Sequence, residues 1–188
     1  MKIGITGHTH GIGKATYDLL ISKDHEVKGF SRQNGYNIDN PSARGQLLRE
    51  VEDCDVFINN AFSLNQTTLL EELIQLWDGK DKLIINIGSK VTMMNFVIPG
   101  QELYVAEKRK QEDVIRNRLP FPFPQLTNLV IGLTDTRMVE NWEGCKLDPN
   151  HLATVIDFVI NNRDFIEVQT MVIDVPKQRL TEIKINYD

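Results

Sequence analysis

The sequence predicts an α/β fold: a doubly wound, seven-stranded parallel sheet in three αβα layers, forming one domain over residues 1–188. Three observations carry this. Short apolar runs of strand length alternate with longer segments of helical period, the pattern of strands joined by helical crossovers. Glycines cluster directly after the first apolar run, at Gly7, Gly11 and Gly13. No internal repeat, low-complexity tract or linker interrupts the alternation.

Lys2 to Thr6 reads as a short buried strand, and Lys14 to Lys23 as a helix, with Ile12, Ala15, Leu19 and Leu20 on one stripe. Glu26 to Ser31 is the second strand, and Gly35 to Ile38 is expected as a short third. Pro41 suits a first helical position, so a helix is expected from there through about Glu52, with Leu47, Leu48 and Val51 inside. Asp55 to Ile58 is the fourth strand and runs into Asn59-Asn60-Ala61-Phe62. A helix from Asn65 to about Trp77 buries Leu69, Leu70, Leu73, Ile74 and Trp77. Lys82 to Ile87 is the fifth strand, ending at Gly88-Ser89. After a loop comes the helix bearing Tyr104 and Lys108, which runs to about Arg118, where Leu119 to Pro124 breaks it with three prolines. Gln125 to Ile131 is the sixth strand, 132–148 an irregular connection, and Pro149 to Asn161 a helix burying Leu152, Val155, Ile156, Val159 and Ile160. Glu167 to Val175 is the seventh strand. The tail from Leu180 to Tyr187 alternates, with Ile183 and Ile185 on one side; packing on a neighbouring subunit is expected, with disorder as the alternative.

The balance of 21 Lys and Arg against 26 Asp and Glu leaves a net charge of −5, which argues against nucleic acid as a partner. The one tight basic run, Lys108-Arg109-Lys110, reads as a solvated helix face. No apolar run reaches membrane-spanning length, and no charged leader precedes the first strand, so neither a membrane partner nor a secretory signal is expected. Cys54 and Cys145 form neither a metal spacing nor a disulfide framework, which fits a reducing, cytoplasmic setting.

The run Thr6-Gly7-His8-Thr9-His10-Gly11-Ile12-Gly13 joins a strand to a helix start. Such a turn lets backbone approach a pyrophosphate, and the helix N-terminus offers free N–H groups and partial positive charge. A plain tight turn is the alternative. His8 and His10 have no cysteine or carboxylate at ligand spacing, so no metal is expected. In a dinucleotide-binding fold an acid at the end of the second strand takes the ribose hydroxyls of NAD; here Ser31-Arg32 stands instead, which favours NADP. Tyr104 and Lys108, four apart on a helix, share a face. A neighbouring ammonium is expected to lower a phenol's pKa and so equip it to pass a proton to or from a carbonyl or alcohol oxygen. The glycine turn, Asn59, Ser89 and Gly132 all follow strand ends, where ligands sit in parallel sheets. That shared edge gathers them into one expected site.

These segments together resemble the short-chain dehydrogenase/reductase family over nearly the whole chain. The glycine turn fits its cofactor motif; Asn59-Asn60-Ala61 fits its Asn-Asn-Ala-Gly motif, with Phe62 in place of the glycine; Ser89 falls at its serine; Tyr104 and Lys108, fifteen residues beyond Ser89, fit Tyr-x-x-x-Lys; and Gly132 with Thr136 fits Pro-Gly-x-x-x-Thr, with Ile131 in place of the proline. The resemblance implies a Rossmann-type fold and a carbonyl reductase or alcohol dehydrogenase using NADP(H), with NAD(H) as the alternative. Tyr104 would be the acid/base, Ser89 would hydrogen-bond the substrate oxygen, and Lys108 would lower the Tyr104 pKa and hold the nicotinamide ribose. Asn65 would complete a proton relay, a helix N-cap being its other reading. Gly7, Thr9, His10, Gly11, Ile12 and Gly13 would cradle the pyrophosphate. Ser31, Arg32, Asn37, Ile38, Asn59, Asn60 and Ala61 would border the adenosine side, and Gly132, Thr134 and Thr136 the nicotinamide.

The chain is shorter than usual members, with little left between Asn60 and Asn65, a short lid after Thr136, and an ending from Val172 to Gln178 shared by a subset only. The substrate is expected to be a small carbonyl or alcohol, with Phe121, Phe123 and Trp142 either at its mouth or in a homodimer or homotetramer contact. A non-catalytic, redox-sensing NAD(P)-binding module is the alternative function, motivated by Phe62, Ile131 and the reduced substrate region.

Overall fold

The computed structural model describes residues 1–119 and 121–176. The expected subunit contact by the tail, and the end of the Val172 to Gln178 resemblance, lie outside them. The strands are β1 (Lys2–Thr6), β2 (Glu26–Phe30), β3 (Val56–Asn59), β4 (Leu83–Ser89), β5 (Gln125–Ile131) and β6 (Thr170–Ile173). The helices are α1 (Gly11–Ser22), α2 (Pro41–Glu50), α3 (Gln66–Leu76), α4 (Glu102–Arg118) and α5 (Pro149–Asn162). All strand pairings are parallel, in the order β2-β1-β3-β4-β5-β6. The α/β, helix-flanked parallel sheet is as the sequence predicts.

The strand count is not. Six strands are present among the described residues, because residues 35–38 form turn and irregular backbone instead of a strand. A 3-10 turn over Arg32–Asn34 ends in Gly35 at φ +93°, and the Tyr36 N–H returns to Ser31 O at 2.9 Å. Asn37 Oδ1 accepts from the Asp39 N–H, and Asn34 Nδ2 donates to Gly29 O on the edge of β2. Local side chains thus take the backbone groups that a strand would have paired, as Asn does in turns. Ile38 still reaches the core.

Period-two alternation divides the strands between two layers. Ile3, Ile5, Val56, Ile58, Leu83, Ile85 and Leu129 pack with α1 and α5 residues such as Leu20, Leu152 and Ile156. Phe57, Ile84 and Leu126 face the other way and pack with Leu47 of α2, Leu69, Leu70 and Leu73 of α3, Trp77, and Ile115 of α4. Helix starts carry the chemistry their backbones need. Asn40 caps Ser42 N and Ala43 N ahead of Pro41, and Asp148 caps Asn150 N ahead of Pro149.

Candidate functional site

The C-terminal ends of β1, β3, β4 and β5 open onto one cleft of about 950 Å³. Its floor at β1 is the glycine turn. Gly7 and Gly11 hold φ values of +74° and +53°, a left-handed region that side chains rarely adopt. A Cβ on Gly13 would lie 2.1 Å from Gly7 O, so the turn closes onto α1 only with glycine there. Asn60 ties this turn to β3: its Nδ2 donates to Thr6 O at 2.9 Å, while Thr6 Oγ1 accepts from Asn60 N and Ala61 N. From the other side Thr136 rests on Gly11, where an added Cβ would meet its Cγ2 at 2.9 Å. The segment after β5 therefore folds over the glycine turn.

Gly7, Thr9, His10, Gly11 and Ile12 line the cleft, as do Ser31, Arg32, Asn37 and Ile38 beyond β2. So do Asn60, Ala61, Ser89, Tyr104 and Lys108, and Gly132, Thr134 and Thr136. Gly13 supports the turn from behind. Trp142 and Phe62 also line it; Phe121 lies instead on the Arg118 guanidinium. The His8 ring packs near Tyr17 and occupies the space that a Cβ on Gly29 would need.

Two expected site residues are elsewhere. Asn59 is fully buried below the cleft, with Nδ2 donating to Asn86 Oδ1 at 3.0 Å, so it does not border a ribose. Asn65 does not reach Lys108. Its Nδ2 donates to Asp39 Oδ1, and it precedes α3 without a side-chain cap. The residue on Lys108 is its neighbour Gln66.

Lys108 is 3% exposed. Its Nζ donates to Ile87 O at 2.6 Å, Gln66 Oε1 at 2.9 Å and Gln111 Oε1 at 3.5 Å. Behind them Asn59, Asn86 and Asn128 stand side by side on β3, β4 and β5, in register. Asn86 Nδ2 donates to Asn128 Oδ1 at 3.0 Å and to Gln111 Oε1 at 3.2 Å, and Gln66 Nε2 to Asn59 O at 2.9 Å. Gly88 makes room for this row, since its Cβ would meet Asn128 Oδ1 at 2.8 Å. Glu107 turns aside and accepts from Thr67 N and Thr67 Oγ1, both at 2.7 Å, near the positive end of α3.

The sequence does carry a signal for this network. Gln66 shares its helical stripe with Leu70, Leu73 and Trp77; Gln111 shares one with Tyr104, Lys108 and Ile115. A glutamine at a core position on each of two facing helices, and an asparagine inside each of three apolar strands, mark buried partners.

The electrostatics differ from the expectation for Tyr104. Burial raises its phenol above the ordinary value, and the Ser89 hydroxyl only partly opposes this. The Phe62 ring lies edge-on to it, with centroids 4.7 Å apart. Burial also brings Lys108 down to about 7, against the pull of Glu107. An ammonium that holds its proton weakly cannot act as the fixed cation that would lower the phenol.

Among the described residues no three His, Cys, Asp or Glu side chains converge as metal ligands, and no helix is long and apolar enough to cross a membrane. No protein-family model and no curated protein matches the sequence. Solved structures match the fold. A 4-hydroxyisoleucine dehydrogenase mutant complexed with NADH and succinate aligns at TM-score 0.79 and 18% identity, over 93% of this chain and 97% of the other. The 3-alpha-hydroxysteroid dehydrogenase from Pseudomonas sp. B-0831, complexed with NADH, aligns at 0.75 and 17%, over 98% and 99%. An alcohol dehydrogenase from the archaeon Thermococcus sibiricus, complexed with 5-hydroxy-NADP, aligns at 0.70 and 16%, over 92% and 96%. The chain thus has the Rossmann-type fold of solved short-chain dehydrogenases/reductases.

Proposed function

We propose that the protein is an NADP-dependent oxidoreductase of the carbonyl reductase/alcohol dehydrogenase type, built as one dinucleotide-binding and catalytic domain. The observation that carries this is the convergence of Tyr104, Ser89 and Lys108 with the glycine turn in a single cleft. The turn fits a dinucleotide: the glycines at positive φ, the close approach of Gly13 to Gly7 O, and the free N–H groups of α1 suit a pyrophosphate. Structural neighbours are complexed with NADH or 5-hydroxy-NADP. Arg32, exposed at the cleft rim where NAD enzymes carry an acid, supports NADP over NAD.

When bound, the nicotinamide supplies or accepts hydride. The chain supplies the proton. Tyr104 Oη, kept protonated by burial, donates to the carbonyl oxygen as charge develops there, and Ser89 Oγ hydrogen-bonds the same oxygen. Lys108, beside Tyr104, is the group able to restore the phenol's proton. The substrate is a small carbonyl or alcohol admitted past Trp142. Tyr104→Phe, assayed with NADPH over a panel of ketones, tests this; full turnover on a substrate that the parent reduces refutes the acid.

One observation favours the second reading, a non-catalytic redox-sensing module. Phe62 lies on Tyr104 and within 5.9 Å of Lys108, crowding the reactive pair. Tight NADPH binding without oxidation across the panel identifies that function. A cytoplasmic homodimer or homotetramer belongs to the main reading, supported by exposed Phe158 on α5 and Val172 on the edge strand β6; light scattering measures the assembly.

A further inference from the structure

Lys108 is held by oxygen atoms that carry no charge. The elements packed around it present Ile87 O and the Asn86 amide from β4, Gln66 from α3, and Phe62 from the loop after β3. Its own helix adds Gln111, with Tyr104 and Glu107 as the titratable members. Glu107 is engaged with Thr67. A buried ammonium is ordinarily paired with a carboxylate. Here two carboxamides stand where one would.

Their orientation follows from their other bonds. Gln66 spends its Nε2 on Asn59 O, so its oxygen faces Lys108. Asn86 points Nδ2 at Gln111, so that oxygen also faces inward, and Gln111 Nε2 is left buried without a partner. The Asn59–Asn86–Asn128 row anchors the arrangement to three strands. It presents acceptors to the amine and withholds full negative charge.

We propose that Gln66 and Gln111 are positioning residues that hold Lys108 through neutral oxygens alone, so that its nitrogen can give up a proton as well as take one. This rests on the reductase reading, in which the Tyr104 O–H bond breaks as the O–H bond of the alcohol forms. The phenolate left behind must regain a proton; the Lys108 ammonium gives one up, becomes an amine, and is reprotonated from water. A carboxylate partner would make the ammonium reluctant to do so. Burial bringing Lys108 to about 7 agrees with this arrangement.

The test uses the full chain with isotope-labelled lysine side chains followed by NMR, the Lys108 signal being identified by its loss in Lys108→Met. In the parent, that signal is expected to titrate well below the other lysines. Gln111→Glu is the deciding variant: it replaces the partnerless Nε2 with oxygen, keeps an acceptor for Asn86, and places a carboxylate beside Nζ. The Lys108 midpoint should rise by about one unit or more, a tenfold gain in proton affinity. Gln66→Glu should act in the same direction, but it loses the bond to Asn59 O, so Gln111→Glu decides if that variant fails to fold. On a ketone that the parent reduces, the pH limb of kcat should move with the NMR midpoint while the KM for NADPH stays within about twofold. A purely structural role would lower stability and leave the midpoint in place. The inference is overturned if Lys108 titrates with the other lysines in the parent, if Gln111→Glu leaves the midpoint unmoved, or if the midpoint moves and the kcat limb does not. A parent that reduces no ketone refutes the reductase reading and with it the catalytic role of the network, whereas the NMR midpoints still report whether the amides control Lys108.

Discussion

The sheet face covered by α1 and α5 is largely apolar, whereas the face covered by α3 and α4 carries a polar row just beneath the cleft. The same strands build both. On the first face, Ile58, Ile85 and Leu129 meet Leu20 and Ile156 in an apolar layer. On the second, the apolar row of Phe57, Ile84 and Leu126 gives way, two residues along each strand, to Asn59, Asn86 and Asn128. Away from the cleft, the first face is a packing layer. The second gives up apolar contact in order to hold Lys108 and Glu107 at fixed positions. A buried polar array is tolerable only when nearly every member is bonded, and nearly every member is.

Truncation on each face should separate the two roles. Ile85→Ala should cost about 2–5 kcal/mol of stability by opening a cavity, with turnover per folded molecule unchanged. Asn86→Leu leaves the Asn128 oxygen without its donor and removes the acceptor of Asn59, and should cost about 3 kcal/mol. It should also reduce turnover, because Gln111 loses its anchor. Urea unfolding alongside steady-state assays measures both. Equal effects on turnover would erase the distinction between the faces.

Lys108→Met sharpens the comparison through pH. Burial brings the amine to about 7 in the folded chain, from an ordinary value of about 10.5. Between those limits the unfolded chain holds the proton and the folded chain does not, so the parent gains stability as pH rises from about 7 to about 10.5, by about 1.4 kcal/mol per pH unit. Below about 7 this group contributes no slope. Lys108→Met should lack the slope, seen as a narrowing stability advantage, or a widening deficit, relative to the parent from pH 7 upward. Parallel stability curves would show that Lys108 keeps its proton.

Phe62→Gly probes the rim of the polar face. Water admitted beside Tyr104 should bring its raised phenol value down, read as an earlier rise of tyrosinate absorbance on alkaline titration. An unchanged titration would assign the shift to other neighbours. The smallest effect is expected on the solvent side of α1, over the apolar layer. Lys14→Ala breaks an exposed pair with Asp18, one turn away, and should change stability by no more than about 0.5 kcal/mol.

Much of the site is legible in local sequence because its parts are local. The glycine turn needs residues that are close together in the chain, and the shared face of Tyr104 and Lys108 follows from helical spacing. The expected strand at Gly35 to Ile38 fails for a local reason too. Asn34 and Asn37 compete for the backbone with side-chain bonds that apolar patterning does not register. Asn65 and Gln66 are a different case. Both are polar, adjacent and near a helix start, and a rotation of one residue about the α3 axis decides which of them meets Lys108, forty-two positions away.

By itself, then, the sequence determined the alternation of elements, the parallel sheet, the glycine turn and the edge on which the candidate site residues gather, since each follows from periodicity or from the conformational needs of single residues. Tertiary structure alone decided which partner Asn59 meets in the core, that Gln66 rather than Asn65 holds the lysine, and that the Tyr104 phenol rises instead of falling. Those outcomes depend on burial and on partners brought together from β3, β4, α3 and α4. The chemical character of a lysine or a tyrosine is set by such neighbours, and spacing along the chain does not reveal them.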